Sequence, residues 1–434
     1  MSSLLLGTIA LLITVFLSVT GVPIFISLGS VGILGLITVI GFDATLGVIS
    51  SLPFSILATY GLAIVPLFFV MGEVANQAGI ASEGYRTAYK LLGSTRGGLA
   101  MATTVGSGIS SACMGSSAAN AALFTRIALP EMLKFKYDKS FSLGCIASVG
   151  TFAVMIPPSI GFVLYGIITQ ESIGKLLMAG IFPGLITVIV YMVGISILCR
   201  LKPEIAPLSE VKYSLKEKLK SVLGLWGILL LFLLVMGGMY AGFFTPSAGA
   251  AIGASGAFII ALSKRSLSFF SLSDMALNIM RAISSFTVII LGGFLLARFL
   301  VLSGFTHDLV SVVSTGLPKG VIIITIALMY LVLGCLMDTP SMMITTIPFI
   351  YPVVTSLGFD GVWFGVFFTK LAEISVLTPP VGMNLFVVAA AAGEGTTVGD
   401  VIKGVVPFIL MDAFVLILLI IFPSIALYLP SHMF

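Results

Sequence analysis

Two short islands of polar and helix-breaking residues interrupt long apolar runs: Cys113-Met114-Gly115-Ser116-Ser117 and Ile156-Pro157-Pro158-Ser159. A second pair stands at Cys335-Leu336-Met337-Asp338-Thr339 and Leu377-Thr378-Pro379-Pro380. The chemistry open to them is oxygen ligation of a cation. Ser116, Ser117 and Thr339 carry hydroxyls and Asp338 a carboxylate. Two adjacent prolines remove amide donors and leave carbonyls unpaired where a helix has to break. Such oxygens replace the water shell of an ion inside a membrane. The candidate cation ligands are therefore Gly115, Ser116, Ser117, Ile156 and Pro158 in the first pair, and Asp338, Thr339, Thr378 and Pro379 in the second. Small residues at these points would equally allow close helix packing, and Asp338 could instead sit at an aqueous mouth. The carboxylate is the sharper signal, because an ionisable group at membrane depth is expensive and by default functional.

The elements that position these residues follow from composition. Of 434 residues, 59% are hydrophobic and only 9% charged, with a mean hydropathy of +1.21. Lipid has to cover most of such a surface, so this is an integral membrane protein. The net charge of +4 comes from a few basic loops; it orients helices and gives no sign of nucleic-acid binding. Four cysteines, at 113, 145, 199 and 335, show no metal-ligand spacing. Residues 1–21 lack a basic start and read as a retained first span.

Apolar runs predict spans near 4–20, 23–41, 61–77, 173–199, 221–241, 246–262, 283–302 and 405–429, with 46–60, which contains Pro53, lying along the interface. Arg86, Lys90 and Arg96 form one basic cluster and Lys134, Lys136 and Lys139 another. Both belong in the cytoplasm by the positive-inside rule. The apolar stretch between them must then enter and leave from one side, as a re-entrant hairpin over 98–130 with Gly115-Ser116-Ser117 at its tip. A broken helix over 139–168 follows, interrupted at Pro157-Pro158. The charged loop from Arg200 to Lys220 reads as a solvated cytoplasmic connector.

Sliding the chain against itself by 222 positions aligns Cys113 with Cys335, Pro130 with Pro352, Asp138 with Asp360, and both proline pairs. The offset places a second hairpin over 320–352, a second broken helix over 361–391 and a final helix over 401–429. The second hairpin enters from the opposite side. The expected architecture is an all-α polytopic membrane protein with inverted repeats: N-terminal scaffold helices over 1–80, a first repeat over 81–199, connector and scaffold helices over 200–282, and a second repeat over 283–434. Interrupted segments at matching positions of inverted halves point to a transporter site near the midplane.

At this point the sequence resembles the large membrane subunit of the tripartite ATP-independent periplasmic (TRAP) transporters. The resemblance rests on Leu91-Leu92-Gly93-Ser94-Thr95-Arg96-Gly97-Gly98-Leu99-Ala100, Gly115-Ser116-Ser117-Ala118-Ala119, Ile156-Pro157-Pro158-Ser159, Tyr165-Gly166, Ser172-Ile173-Gly174, Ala179-Gly180-Ile181-Phe182-Pro183-Gly184 and Thr378-Pro379-Pro380-Val381-Gly382-Met383-Asn384-Leu385-Phe386. It implies a sodium-driven importer of organic acids, such as a C4-dicarboxylate or sialic acid, in the bacterial inner membrane. It also implies an elevator-type transport domain moving against a scaffold. The implied partners are a separate small four-helix membrane subunit and a periplasmic substrate-binding protein. No cofactor is expected beyond sodium as coupling ion, and no enzymatic activity.

Within that reading the substrate would lie between tips and proline breaks, with Ser159 and Asn384 as contacts. Lys370 and Glu373, three apart on one helix face, either face the substrate or form a buried structural pair. Glu73, Arg126 and Arg298 read as interfacial, packing or snorkelling charges, and no proton relay is assigned to His307 or His432. Two rivals are a stand-alone sodium-coupled anion carrier and an intramembrane enzyme; the second lacks any paired catalytic groups.

Overall fold

The two adjacent-proline pairs break helices in this chain, whereas single prolines such as Pro53, Pro130 and Pro407 are carried inside them. A computed structural model describes residues 2–208, 213–266, 269–316 and 318–433. Among the described residues there is no strand. Glu210 and Lys212 of the connector lie outside them.

The chain opens with α1 (Ser3–Val19), α2 (Ile24–Ile40), α3 (Phe42–Leu57), α4 (Ile64–Gln77) and α5 (Ile80–Leu92). The first hairpin is α6 (Gly98–Ser111) and α7 (Ser117–Lys134); the first broken helix is α8 (Lys139–Gly150), α9 (Phe152–Met155) and α10 (Ile160–Thr169). After α11 (Ile173–Ala179) and α12 (Ile181–Leu201), the chain continues through α13 (Leu215–Leu223), α14 (Trp226–Phe232), a π-helical segment (Leu233–Gly237) and α15 (Gly238–Tyr240). Then come α16 (Pro246–Ser263), α17 (Phe269–Leu302) and α18 (Phe305–Gly316). The second hairpin is α19 (Lys319–Gly334) and α20 (Thr339–Ser356), and the second broken helix α21 (Gly361–Ser375) and α22 (Met383–Ala392). The chain closes with α23 (Val398–Ile421) and α24 (Ser424–Ser431). Among the described residues, five helices are long and apolar enough to cross a membrane, and up to seven if each bent pair counts as one span.

The stretch 46–60 is helical as far as Leu57, within α3, which runs through Pro53 and packs against α2 and α17. Two elements differ from expectation. The span expected at 283–302 is the second part of α17, 34 residues long. The final helix expected over 401–429 starts earlier and ends earlier. Thr397 and Asp400 form a capping box that starts α23. Pro423, which lacks an amide donor and restricts the residue before it, stops it after Ile421.

The helix boundaries follow the 222-residue offset. It carries α7 onto α20 at both ends, the start of α8 onto the start of α21, and the start of α2 onto that of α16. The exceptions are pairs of helices in the first half that correspond to single helices in the second: α3 and α4 to α17, α8 and α9 to α21, and α11 and α12 to α23. Packing partners are exchanged between halves: α10 lies on α20 and α22 on α7, while α2 lies on α17 and α16 on α4. The loops do the same. Tyr351, at the base of the second hairpin, donates to Glu171 after α10 (2.6 Å), and Lys139, at the base of the first broken helix, donates to the Gly395 carbonyl after α22 (2.5 Å). Such exchange is what a two-fold relation between the halves produces. Gly144 and Gly404 bring α8 and α23 into backbone contact, since a Cβ on either would overlap the other helix. Between these layers α21 is buried along its whole length, Lys370 and Glu373 included.

Candidate functional site

The two hairpin tips and the two helix breaks meet around one cavity of about 280 Å³. Gly115, Ser116 and Ser117 line it from the first tip, and Asp338 and Thr339 from the second. The breaks contribute Val154 and Ile160 from the first half and Val376 and Met383 from the second. Phe69 of α4 and Ser285 and Phe286 of α17 close the remaining wall. A larger cleft of about 740 Å³, between the loop after α10 and the residues that start α16, contains none of the predicted site residues.

Four helix N-termini face this cavity: those of α7, α10, α20 and α22. Each directs the positive end of its helix dipole there, although the amides of Ala119 and Asn384 are already engaged. The arrangement suits an anionic group, as broken-helix N-termini do in other transporter folds. The tips differ in one respect that bears on charge. Ser116 caps α7 by accepting from the Ala119 amide (3.4 Å), whereas Asp338, at the equivalent position, makes no capping hydrogen bond to α20. The amide and hydroxyl of Ser341, in the first turn of α20, lie toward the Asp338 carboxylate without completing a well-formed cap.

Each break leaves a carbonyl that the interrupted helix no longer satisfies. The equivalent carbonyls of Val154 and Val376 are met differently. Ser159 Oγ donates to the first, and the Asn384 backbone amide donates to the second (3.2 Å). Asn384 Nδ2 in turn donates to the Ala147 carbonyl (3.3 Å), tying α22 to α8. On the second tip, the Cys335 thiol lies against the carbonyls of Thr378 and Pro379, at 3.4 and 3.7 Å. Both proline pairs have cis peptide bonds.

Of the predicted site residues, Gly115, Ser116, Ser117, Asp338 and Thr339 are brought together in the cavity. Ile156, Pro158, Thr378 and Pro379 form the breaks without lining it. The expected substrate contacts from Ser159, Asn384, Lys370 and Glu373 face protein instead: all four are fully buried. Ser159 and Asn384 are engaged in the breaks. Lys370 and Glu373 pair at 2.8 Å in a cluster with Asp412 of α23 (2.5 Å to Lys370), and Thr187 and Tyr191 of α12 complete it. Sequence reading missed Asp412, Thr187 and Tyr191. Asp412 had a visible signal, an ionisable residue within an apolar span; the other two had none.

An all-helical membrane protein whose halves meet at one cavity, through paired hairpin tips and paired broken helices, has the design of a secondary transporter. The family model for the tripartite ATP-independent periplasmic transporter, DctM component, matches residues 11–425, and the chain belongs to that family. It is 31% identical over 408 residues to the C4-dicarboxylate TRAP transporter large permease protein DctM of Pseudomonas aeruginosa, covering 93% of this chain and 94% of that one. It is 29% identical over 382 residues to the sialic acid TRAP transporter large permease protein SiaM of Vibrio cholerae, covering 86% of each. Among solved structures, the Alcanivorax borkumensis YdaH transporter shares the fold, with a TM-score of 0.66 over 99% of this chain and 100% of that one at 13% identity.

Proposed function

We propose that this protein is the large permease subunit of a sodium-coupled TRAP transporter that imports an organic acid across the bacterial inner membrane. The observation that carries the proposal is the convergence of four helix N-termini, two from each half, on one cavity that also holds Asp338. The N-termini would hold a substrate carboxylate. Asp338, the hydroxyls of Ser116, Ser117 and Thr339, and carbonyls around Gly115, Ile156–Pro158 and Thr378–Pro379 would hold sodium next to it. Sodium and substrate then stabilise one another's bound state, which is the coupling. A cavity of about 280 Å³ is at the small end of ligand sites; it suits a C4-dicarboxylate better than the bulkier sialic acid.

In this reading α2, α4, α16 and the long α17 form the scaffold. The hairpins and broken helices form a block that slides against it as an elevator. A periplasmic binding protein delivers the substrate, and a small four-helix subunit sits beside the scaffold. The test is uptake driven by a sodium gradient in vesicles containing this chain, the small subunit and the binding protein, screened over organic acids. Uptake that needs all three proteins and the gradient is the expected result. Uptake indifferent to sodium would overturn the coupling, and uptake without the binding protein would favour the stand-alone carrier.

A further inference from the structure

Lys370, Glu373 and Asp412 carry the only ion pairs among the described residues that are fully buried on both sides. An ammonium group has three N–H donors, and those of Lys370 are all used: Asp412 Oδ1 at 2.5 Å, Glu373 Oε2 at 2.8 Å and Thr187 Oγ1 at 3.2 Å. The second oxygen of Asp412 accepts from the Tyr191 hydroxyl (2.7 Å), and Thr187 gives its own proton to the Pro183 carbonyl (2.9 Å). Glu373 Oε1 remains, buried and without a partner. One cation faces two carboxylates here, so full ionisation would leave an uncompensated negative charge with no access to water.

Of the helices packed on α21, α11, α19 and α23 carry Lys175, Lys319 and Lys403, and all three are exposed, away from this buried cluster. Tyr330 of α19 packs edge-to-face against Phe368 and bonds Thr346, and Tyr165 of α10 donates to the Gly361 carbonyl. A buried group in that position neutralises rather than stays charged. Asp412 has both oxygens occupied by donors, whereas Glu373 has one bare oxygen.

We propose that Glu373 is a resident proton site: it holds, on Oε1, the single proton that makes the Lys370–Glu373–Asp412 cluster neutral. As a neutral acid it acts as a positioning residue. The cluster joins α21 to α12 and α23, and one turn beyond Glu373 the same helix supplies Val376 to the cavity wall. A neutral cluster also lets this block move through the membrane without carrying a charge of its own there.

The test is infrared spectroscopy of the full chain in lipid vesicles at neutral pH, reading the carbonyl stretch of protonated carboxylic acids by its isotope shift in D2O. A band from a buried neutral acid is expected in the parent. Glu373→Gln abolishes it, and Asp338→Asn, which alters the carboxylate at the cavity, keeps it. Asp412→Asn is the discriminating variant: with one carboxylate left facing Lys370, Glu373 ionises and the band disappears although Glu373 is intact. Glu373→Gln, neutral and isosteric, should also unfold within a few degrees of the parent. The proposal is overturned if the parent lacks the band, or if the band survives in Asp412→Asn. It is also overturned if the parent shows a sodium-dependent rise in unfolding temperature that Glu373→Gln loses, since the cluster would then hold a cation.

Discussion

Asp338 and Ser116 occupy equivalent positions at the two tips, yet only the serine caps its helix. A carboxylate that faces the cavity without a well-formed cap can turn to a cation. Asp338→Asn keeps a good N-cap residue but removes the charge. We expect sodium-driven uptake to fall by about 10- to 100-fold, in line with the roughly 1.5–3 kcal/mol of a hydrogen bond or contact to a charged group, with the sodium concentration for half-maximal uptake rising. Unchanged sodium dependence in vesicles would exclude Asp338 as a ligand. The breaks allow a second test. Ser159→Ala orphans the buried Val154 carbonyl and should destabilise the protein by about 1–3 kcal/mol. Asn384→Ala leaves the amide that serves Val376 in place and should cost less; thermal unfolding in detergent compares the two. At this scale the tips were legible because polar residues stand out in hydrocarbon. The Lys370–Asp412 pair was not, because 42 residues separate its members and only the packing of α21 on α23 brings them together.

The elements were legible where proline and glycine stop them. Both hairpins and both broken helices follow from Gly115, Pro157-Pro158, Asp338 and Pro379-Pro380. The end of the last helix was misplaced because the apolar run continues past Pro423, and composition alone does not register one missing amide. Helix packing adds what no single element contains. The backbones of α8 and α23 touch at Gly144 and Gly404, where a Cβ has no space. Gly404→Ala should therefore destabilise by about 1–3 kcal/mol, as overpacking of a close contact does, and Gly144→Leu by more. Gly47, with nothing near its Cβ position, is the control: Gly47→Ala should be neutral or slightly stabilising by unfolding temperature.

Across the whole molecule, the exchange of packing partners between halves means that neither half completes the cavity alone. Movement of the hairpin block against α17 can be tested with Ser117→Cys and Ser285→Cys, which place one thiol on each side of the cavity. The four native cysteines would be replaced first. A short, reducible cross-linker should abolish uptake and a reductant should restore it. Uptake that persists after quantitative cross-linking would mean that tip and scaffold stay together through the cycle. Charge neutrality matters at this scale too, because one elementary charge moved across 100 mV changes the free energy by about 2.3 kcal/mol. A net charge on the Lys370 cluster would tie any such movement to the membrane potential.

By itself the amino-acid sequence determined the environment, the punctuation and the repeat. Hydropathy requires lipid, paired prolines break helices wherever they fall, and a 222-residue offset survives because the same breaks are needed twice. Only the tertiary structure decided which oxygens face the cavity and which are engaged in holding it. A side chain's direction depends on the helix packed against it. Ser159 and Asn384 turn inward to the breaks, Lys370 and Glu373 turn to Asp412 and α12, and Ser116, Ser117, Asp338 and Thr339 are left at the shared cavity.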